Sequence, residues 1–229
     1  MSARFRFNAG GLDGASGVGR AAARQPQTPR SLGCGSNGVR CSSVDELKLL
    51  ISRDQIAQRV VELARQITSD FRGEPALFVG VLKGAAIFLS DLVRHVQLDA
   101  TYDFIAVSSY GNPRGPKQER IWDSTGEVRL TKDVEHSLRD KNVVLVEDIL
   151  DTGLTLSFLK RLLLGHQPRR FCVAVLLDKP SRRKLAINAD YVGFTIPDKF
   201  VVGYGLDYAE KYRNLPDIRV LPGVVPNGI

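Results

Sequence analysis

Apolar residues recur at helical spacing in the region after residue 50. Four of them follow one another at intervals of three or four positions: Ile56, Val60, Leu63 and Ile67. This spacing places them on one face of an amphipathic helix. Ser43 with Glu46, and Ser52 with Gln55, have the spacing of a capping box, which marks a helix start. We therefore expect one or two amphipathic helices to open the folded domain.

Uninterrupted apolar runs predict three buried β strands, at Leu77–Leu82, Val143–Val146 and Phe171–Leu177. Helical patterns follow the first two runs, over residues 85–96 and over a segment that contains Phe158, Leu159, Leu162 and Leu163. Strands that are apolar throughout and alternate with helices are typical of a parallel sheet that is covered on both faces. The pattern therefore predicts an α/β fold.

Shorter apolar segments complete this prediction. Phe104–Val107 reads as a further strand, and the polar segment Ser108–Thr125 that follows is a long loop of the kind that often forms a functional lid. Tyr191–Ile196 and Phe200–Val202 are short strands that Pro197 separates. Because proline interrupts strand pairing, we expect these two strands at a sheet edge or in a small subdomain.

Charge is unevenly distributed along the chain. The net charge is +7, but residues 1–43 contain six arginines, no lysine and one acid, so they account for +5. These residues also contain eight glycines and six serines without an apolar pattern, which predicts a disordered extension. The same composition is typical of a plastid or mitochondrial transit peptide, and both readings stay open. The folded domain is expected over residues 44–229.

Composition excludes several classes of protein. The nearly neutral body lacks the excess of basic residues that a nucleic-acid-binding surface needs. No run of about 18 apolar residues occurs, so we expect no membrane-spanning helix. The chain has three cysteines, too few for a disulfide scaffold or a four-cysteine zinc site.

Polar side chains gather where three predicted strands end. Lys83 follows the first, Glu147 and Asp148 the second, and Lys179 the third. In open α/β sheets, ligands bind beyond these carboxyl ends. The segment Asp151–Thr155 joins a strand to a helix, where backbone N–H groups and hydroxyls can hold a phosphate. The adjacent carboxylates can accept hydrogen bonds from vicinal hydroxyls, so the segment indicates a ribose phosphate ligand.

Residues 147–155 resemble the phosphoribosyl-pyrophosphate motif of type I phosphoribosyltransferases. Four further segments resemble, in chain order, the motifs of the hypoxanthine-guanine phosphoribosyltransferase family: Val81–Gly84, Ser108–Gly111, Leu177–Arg183 and Phe200–Tyr208. The resemblance covers about residues 44–222. It implies the type I phosphoribosyltransferase fold, in which helices flank a central parallel sheet and a small hood subdomain and a mobile active-site loop complete the site.

The same resemblance implies an enzyme of purine salvage. Such an enzyme transfers the 5-phosphoribosyl group of phosphoribosyl pyrophosphate to hypoxanthine or guanine, giving IMP or GMP and pyrophosphate. The resemblance also implies Mg²⁺ as cofactor and a homodimer or homotetramer. It implies a cytoplasmic location, with a plastid or mitochondrion as the alternative if residues 1–43 are a transit peptide.

Individual roles follow from the matching positions. By this resemblance Glu147 and Asp148 hold the ribose hydroxyls, and Asp151 is the general base at the purine N7. The 5-phosphate is held by Asp151, Thr152, Gly153, Leu154 and Thr155. The purine is bound by Lys179 at its 6-oxo group, by Phe200 through stacking and by the Val201 backbone.

The remaining implied roles concern pyrophosphate, metal and lid. Leu82 and Lys83 form a non-proline cis peptide that receives pyrophosphate together with Gly84, and Arg213 helps to bind it. Asp207 ligates magnesium directly or through water. Ser109 and Tyr110 belong to the lid.

Other functions remain as alternatives. Asp151-Thr152-Gly153 is also an aspartic-protease signature, but that class requires an all-β fold and a second aspartate. A ligand-sensing regulator built on the same fold is a second alternative. A sister transferase that prefers xanthine or adenine is the third, although Lys179 favours a 6-oxopurine because an ammonium group can only donate.

Overall fold

The computed structural model describes residues 47–109 and 128–224, and Ser109 only in its backbone. The predicted extension over residues 1–43, the helix start at Ser43 and Tyr110 lie outside the described residues. The strands are β1 Lys48–Ile51, β2 Ala76–Leu82, β3 Ala100–Ser109, β4 Val128–Lys132, β5 Asn142–Leu150, β6 Arg170–Asp178, β7 Tyr191–Thr195, β8 Val201–Val202 and β9 Ile218–Val220. The helices are α1 Arg53–Phe71, α2 Ala86–Val93 and α3 Leu154–Leu164.

The main sheet has six strands in the order β4-β3-β2-β5-β6-β7. All neighbouring pairs are parallel except β3 with β4. Side chains that alternate along β5 point to two separate cores, with Val144 and Val146 in one and Val143 and Leu145 in the other. Residues of α1 and α2 pack into the first core and residues of α3 into the second. The predicted α/β fold with a covered parallel sheet is confirmed.

A second sheet has three antiparallel strands in the order β1-β9-β8. It contains the second of the two short strands predicted after residue 190, while the first, β7, lies at an edge of the main sheet. Both placements agree with the prediction. The small sheet corresponds to the expected hood subdomain.

The start of the domain contains one helix rather than two in the described residues. Helix α1 begins after Ser52, and the predicted capping box is present, with Ser52 accepting from the Gln55 amide and Gln55 accepting from the Ser52 amide. The earlier helix start is not continued, because residues 48–51 form β1. Leu49 and Ile51 pair with β9, which lies about 170 residues later in the chain. Local spacing carries no information about such a partner.

Several element boundaries also differ from the predicted ones. Strand β3 begins at Ala100 instead of Phe104, and β5 continues past Val146 to Leu150. Strands β4 and β9 were not predicted at all, and α2 is shorter than the predicted helix over residues 85–96. The strand extensions contain polar residues such as Asp103 and Glu147, which are buried in the fold. These polar residues interrupt the apolar pattern from which strands are predicted. The full length of each strand is visible only from its pairing with neighbouring strands.

Candidate active site

The carboxyl ends of β2, β5 and β6 lie side by side in the main sheet. Lys83 and Gly84 follow β2, Glu147 and Asp148 lie in the last part of β5, and Lys179 follows β6. The fold therefore brings together the polar residues that the sequence predicted at the ends of these three strands, on the side of the sheet where the strands have their carboxyl ends. This is the edge at which open α/β sheets bind ligands.

Glu147 is the most deeply buried acid of the site. Its side chain is 5% exposed, and its Oε2 atom has no hydrogen-bond partner. Burial, with the nearby charge of Asp148 as the second cause, raises the pKa of Glu147 to about 8. At neutral pH the ligand-free site therefore keeps Glu147 mostly protonated, so this carboxyl can donate as well as accept a hydrogen bond.

Asp148 is less perturbed, because it has compensating partners. Burial raises its pKa to about 6, while the Ile149 amide, which donates to Oδ1 over 2.9 Å, and the charge of Arg213 act in the opposite direction. Asp207 adds to the upward shift. Asp148 is therefore mostly ionised at neutral pH beside a mostly protonated Glu147.

Two glycines allow the loop after β2 to approach Asp148. A Cβ atom on Gly84 would overlap Oδ2 of Asp148, and a Cβ atom on Gly205 would overlap the carbonyl oxygen of Gly84. Gly205 also has a φ of +100°, which side chains rarely permit. The preceding Leu82–Lys83 peptide bond is cis, as the resemblance implied. Close backbone contact at this point thus requires glycine at both positions.

The turn between β5 and α3 presents the start of a helix to the site. Gly153 precedes the helix with a φ of +85°, and a Cβ atom there would lie 2.7 Å from Cγ2 of Ile187. No side chain caps the first turn of α3 in the usual way. Thr152 Oγ1 accepts from the Leu154 amide at a long 3.4 Å. The turn therefore offers helix N–H groups and the hydroxyls of Thr152 and Thr155 to an anion.

Asp151 and Lys179 form an electrostatic pair within this edge. Lys179 is 4% exposed. Burial lowers its pKa, and the charges of Asp151 and Asp198 oppose that shift. Burial likewise raises the pKa of Asp151, against the charges of Lys179 and Arg182. Arg182 Nε lies 3.0 Å from Oδ1 of Asp151, which pairs the two charges, although this oxygen accepts no hydrogen bond.

This turn is positioned by two arginines to which the sequence analysis assigned no role. Arg182 pairs with Asp151, and Arg183 donates to the carbonyl oxygens of Leu150 and Asp151 and to the carboxylate of Asp178. Arg183 therefore joins the end of β6 to the turn after β5. Both arginines lie in the Leu177–Arg183 segment, but their type and spacing alone do not reveal which backbone atoms they reach.

Phe200 and Val201 lie in the hood at the start of β8. The ring of Phe200 contacts that of Tyr208 edge to face, with 5.5 Å between the ring centroids. Val201 is buried and pairs with Val220 of β9. Tyr208 belongs to the Phe200–Tyr208 motif, but only the fold reveals that its ring contacts that of Phe200.

The segment after β8 contains a cluster of charged side chains. Arg213 Nη2 lies 2.8 Å from Oδ1 of Asp207, and Arg213 Nη1 donates to the Gly205 carbonyl oxygen over 2.7 Å. Lys83 Nζ lies 2.9 Å from Oε2 of Glu210. The fold therefore brings Lys83, Asp207 and Arg213 into one neighbourhood, although Lys83 lies more than 120 residues before the other two. Glu210 joins them without having been singled out by the sequence.

The prediction that Ser109 and Tyr110 belong to a lid stays a prediction. Ser109 ends β3 in its backbone, and Tyr110 lies outside the described residues. Within the part of the chain that the structure describes, no helix has both the length and the apolar surface that crossing a membrane requires.

Comparison with known proteins agrees with the geometry. Residues 51–209 match the family described as phosphoribosyl transferase domain. The chain is 47% identical over 178 residues to the hypoxanthine-guanine phosphoribosyltransferase of Bacillus subtilis, covering 78% of this chain and 94% of that protein. It is 45% identical over 184 residues to the Staphylococcus aureus protein of the same name, covering 80% and 98%.

Solved structures lead to the same group of proteins. A hypoxanthine-guanine phosphoribosyltransferase from Bacillus anthracis is 50% identical, with a TM-score of 0.70, and the match covers 77% of this chain and 99% of that one. A hypoxanthine phosphoribosyltransferase from Staphylococcus aureus is 44% identical, with a TM-score of 0.71 and coverage of 80% and 96%.

Proposed function

Because this chain belongs to the hypoxanthine-guanine phosphoribosyltransferase family, we propose roles for the residues at its sheet edge in the family reaction. The protein is a pentosyltransferase of purine salvage. It joins the 5-phosphoribosyl group of phosphoribosyl pyrophosphate to hypoxanthine or guanine and releases pyrophosphate. The observation that supports the assignment best is the acid pair of buried Glu147 and partly buried Asp148 beside the start of α3, which Gly153 precedes.

The ribose phosphate binds along β5 and α3 in this proposal. The 5-phosphate lies against the Thr152–Thr155 turn, where N–H groups at a helix N-terminus favour an anion. Glu147 and Asp148 bind the ribose hydroxyls. As the bond to pyrophosphate breaks, positive charge develops on the sugar, and the ionised Asp148 stabilises it in a site that excludes water.

The purine binds between the turn after β6 and the hood. Lys179 donates to the 6-oxo group, Phe200 stacks on the ring and the Val201 backbone contacts its far edge. Asp151 accepts the N7 proton as the new bond to the sugar forms. The charges of Lys179 and Arg182 oppose the upward shift that burial causes in the pKa of Asp151, and they favour the ionised form that a base requires.

Pyrophosphate leaves along the loop after β2. The Lys83 and Gly84 backbone and the Arg213 side chain bind it in this proposal. The magnesium ion is held by Asp207, whose charge already acts on Asp148. Among the described residues no three metal-binding side chains come together, but magnesium is usually held by one or two carboxylates together with substrate phosphates. When bound, magnesium neutralises charge on the departing diphosphate.

The sequence left three alternative functions: an aspartic protease, a ligand-sensing regulator and a transferase that prefers xanthine or adenine. The mixed α/β fold excludes the aspartic-protease reading of Asp151-Thr152-Gly153, because that chemistry requires an all-β fold with a second aspartate. The regulator reading is not favoured by curated relatives named as enzymes. Xanthine or adenine preference concerns the base pocket and is addressed by the experiment below.

Assembly and location extend the proposal. We infer a homodimer or homotetramer in the cytoplasm. Sedimentation of the purified protein tests the assembly. A fluorescent reporter fused to residues 1–43 tests the location, and accumulation of the reporter in a plastid or mitochondrion would replace the cytoplasmic assignment.

A base-by-base assay tests the function and the role of Lys179. With phosphoribosyl pyrophosphate and magnesium, the protein should form nucleotide from hypoxanthine and guanine in preference to xanthine and adenine. Lys179→Met removes the donor to the 6-oxo group, and an unpaired buried oxygen costs roughly 1 to 3 kcal/mol, or about 5- to 150-fold in kcat/KM. Adenine should suffer less or improve. If the relative use of the bases stays the same, Lys179 does not read position 6.

A further inference from the structure

Glu210 lies in a tight turn that only the fold reveals. Tyr208 and Lys211 exchange two backbone hydrogen bonds of 3.2 and 3.0 Å, so Ala209 and Glu210 form the two central residues. Both have positive φ angles, +52° and +63°. Two adjacent non-glycine residues in this region are uncommon, and such conformations occur preferentially at functional sites. Positive φ angles at both central positions are the geometry of a type I′ turn, and this turn fixes the direction in which Glu210 leaves the backbone.

The Glu210 carboxylate reaches two cations from different parts of the chain. Its Oε2 lies 2.9 Å from Lys83 Nζ, and its Oε1 lies 3.5 Å from Arg213 Nη2. The Glu210 amide donates to Oδ2 of Asp207 over 2.8 Å, which ties the turn to the proposed magnesium ligand. One acid thus joins the loop after β2 to the segment after β8.

These two cations belong to the segments that the proposed function assigns to pyrophosphate. Lys83 belongs to the loop whose backbone is assigned to pyrophosphate, and Arg213 is assigned to it directly. Glu210 therefore pairs with the same two cations that the diphosphate would contact under this assignment. A carboxylate and a phosphate oxygen make similar hydrogen bonds to ammonium and guanidinium groups, so binding exchanges one acceptor for the other.

The exchange is physically easy at this position. The side chains of Lys83 and Glu210 are 68% and 67% exposed, so water surrounds the pair and the bond between them is weak. The Glu210 carboxylate is therefore available as a competitor for these cations whenever the diphosphate is absent.

We propose that Glu210 is an internal counter-ion of the pyrophosphate site, a positioning residue that pairs with Lys83 and Arg213 in the empty site and is displaced when the diphosphate group binds. This inference rests on the proposed assignment of the loop after β2 and of Arg213 to pyrophosphate. Compared with a site that lacks this carboxylate, the site should bind pyrophosphate less tightly and release it faster. The reason is that Glu210 pairs with Lys83 and Arg213 again as pyrophosphate leaves.

Calorimetric titration of the full chain with magnesium pyrophosphate tests the proposal. Glu210→Gln keeps the size of the side chain and removes its charge, so the Kd for pyrophosphate should fall by about two- to fivefold, the range of one weak exposed ion pair. The Kd for GMP, which lacks a diphosphate, should not change. An unchanged or higher Kd for pyrophosphate would overturn the proposal.

A matched control is available on α1. Glu62 is also an exposed glutamate that pairs with an arginine, with 2.8 Å between its Oε2 and Arg59 Nη1. Glu62→Gln changes the net charge by the same amount and should leave both Kd values unchanged. If it lowers the pyrophosphate Kd as much as Glu210→Gln does, the effect is one of total charge and the counter-ion role is wrong.

Two further variants separate this inference from the assignment on which it rests. In a Lys83→Met background, Glu210→Gln should lower the pyrophosphate Kd by less than in the parent, because one cation has been removed. An equal effect in both backgrounds would contradict the pairing. Arg213→Met should weaken pyrophosphate binding, and if it does not while nucleotide still forms, the assignment of the pyrophosphate site itself is wrong.

Discussion

The acids at the end of β5 have different protonation states because their surroundings differ. Glu147 is nearly closed off from solvent and has one oxygen without a partner, whereas Asp148 accepts from a backbone amide and lies near Arg213. Burial of an acid without a compensating donor favours the neutral form. One strand end thus presents a neutral carboxyl and a charged one to the same sugar.

The raised pKa of Glu147 predicts a loss of stability with rising pH. Folded and unfolded states both hold its proton below about pH 4.5, its ordinary pKa, while only the folded state holds it up to about pH 8. The protonated state's contribution to stability is therefore complete below pH 4.5 and is lost as the pH rises through 8. Compared with Glu147→Gln, the parent's free energy of unfolding should fall by about 3 to 4 kcal/mol between pH 5 and pH 8.

Urea unfolding without ligand at the two pH values measures this difference. Glu62→Gln serves as the control, because the hydrogen bond from Arg59 lowers the pKa of Glu62 and that acid is already ionised at pH 5. The difference in free energy of unfolding between Glu62→Gln and the parent should be the same at both pH values. If the difference between Glu147→Gln and the parent is also the same at both pH values, Glu147 is not buried in its protonated form.

Asp151→Asn tests the proposed general base. Asparagine keeps the size of the side chain but cannot accept the N7 proton, so single-turnover nucleotide formation should slow by roughly 10²- to 10⁴-fold. Binding of phosphoribosyl pyrophosphate should weaken much less, because the 5-phosphate depends on the Thr152–Thr155 turn. Asp198→Asn removes a charge that also acts on Lys179 and should slow the reaction far less. A parent-like rate for Asp151→Asn would reduce Asp151 to a positioning role.

Among the elements, the contact between the loop after β2 and the segment after β8 decides the shape of the site. Gly205 lies against the carbonyl oxygen of Gly84, and Gly84 lies against Asp148 at the end of β5. Three separate segments meet in these two contacts, one with a backbone carbonyl and one with the carboxylate of Asp148. Their approach depends on the absence of Cβ atoms, since even one methyl group would displace the backbone.

Gly205→Ala should therefore impair catalysis beyond its effect on stability. Gly73 is a matched control, because its φ is also positive, +81°, but nothing lies within 4 Å of its Cβ position. Both alanine variants should lose about 1 to 2 kcal/mol of stability from the unfavourable φ. Only Gly205→Ala should also displace Gly84 and lower kcat/KM for phosphoribosyl pyrophosphate. Equal kcat/KM values for the two variants would show that the contact does not control the site.

At the scale of the whole molecule, about four fifths of this chain matches nearly the full length of a relative. The match with the Bacillus subtilis protein covers 94% of that protein but 78% of this chain. A relative of this size therefore has all the parts that the family activity requires in a length close to that of residues 44–229. We therefore expect the arginine-rich residues 1–43 to be additional to those parts.

Removal of residues 1–43 should leave the enzyme active. A chain that starts at Val44 should fold and keep its kcat/KM for hypoxanthine, because these residues carry no periodic apolar face that could contribute to a core. Thermal unfolding and the base assay measure the two properties. Loss of most of the turnover would show that the extension contributes to the fold or to the site.

The sequence predicted the parts of the fold whose cause is local. The apolar runs of β2, β5 and β6 are buried on both faces, so burial leaves an uninterrupted signature that needs no knowledge of the partner strands. The capping box at Ser52 is equally local. By contrast, β1 and β9 stabilise each other from opposite ends of the described chain, and β4 depends on β3. These strands have only three to five residues each, too few for a reliable signature apart from their partner.

The candidate site divides in the same way. By itself the sequence determined the ligand class and the family, because phosphate and ribose chemistry lies in one continuous segment, residues 147–155, and the other motifs follow in order. Only the tertiary structure decided that Glu147 is buried and protonated, that Arg182 and Arg183 hold the Asp151 turn, and that Glu210 pairs with Lys83. Those properties depend on solvent exclusion and on distances between segments that are far apart in the chain, which residue types and spacing do not encode.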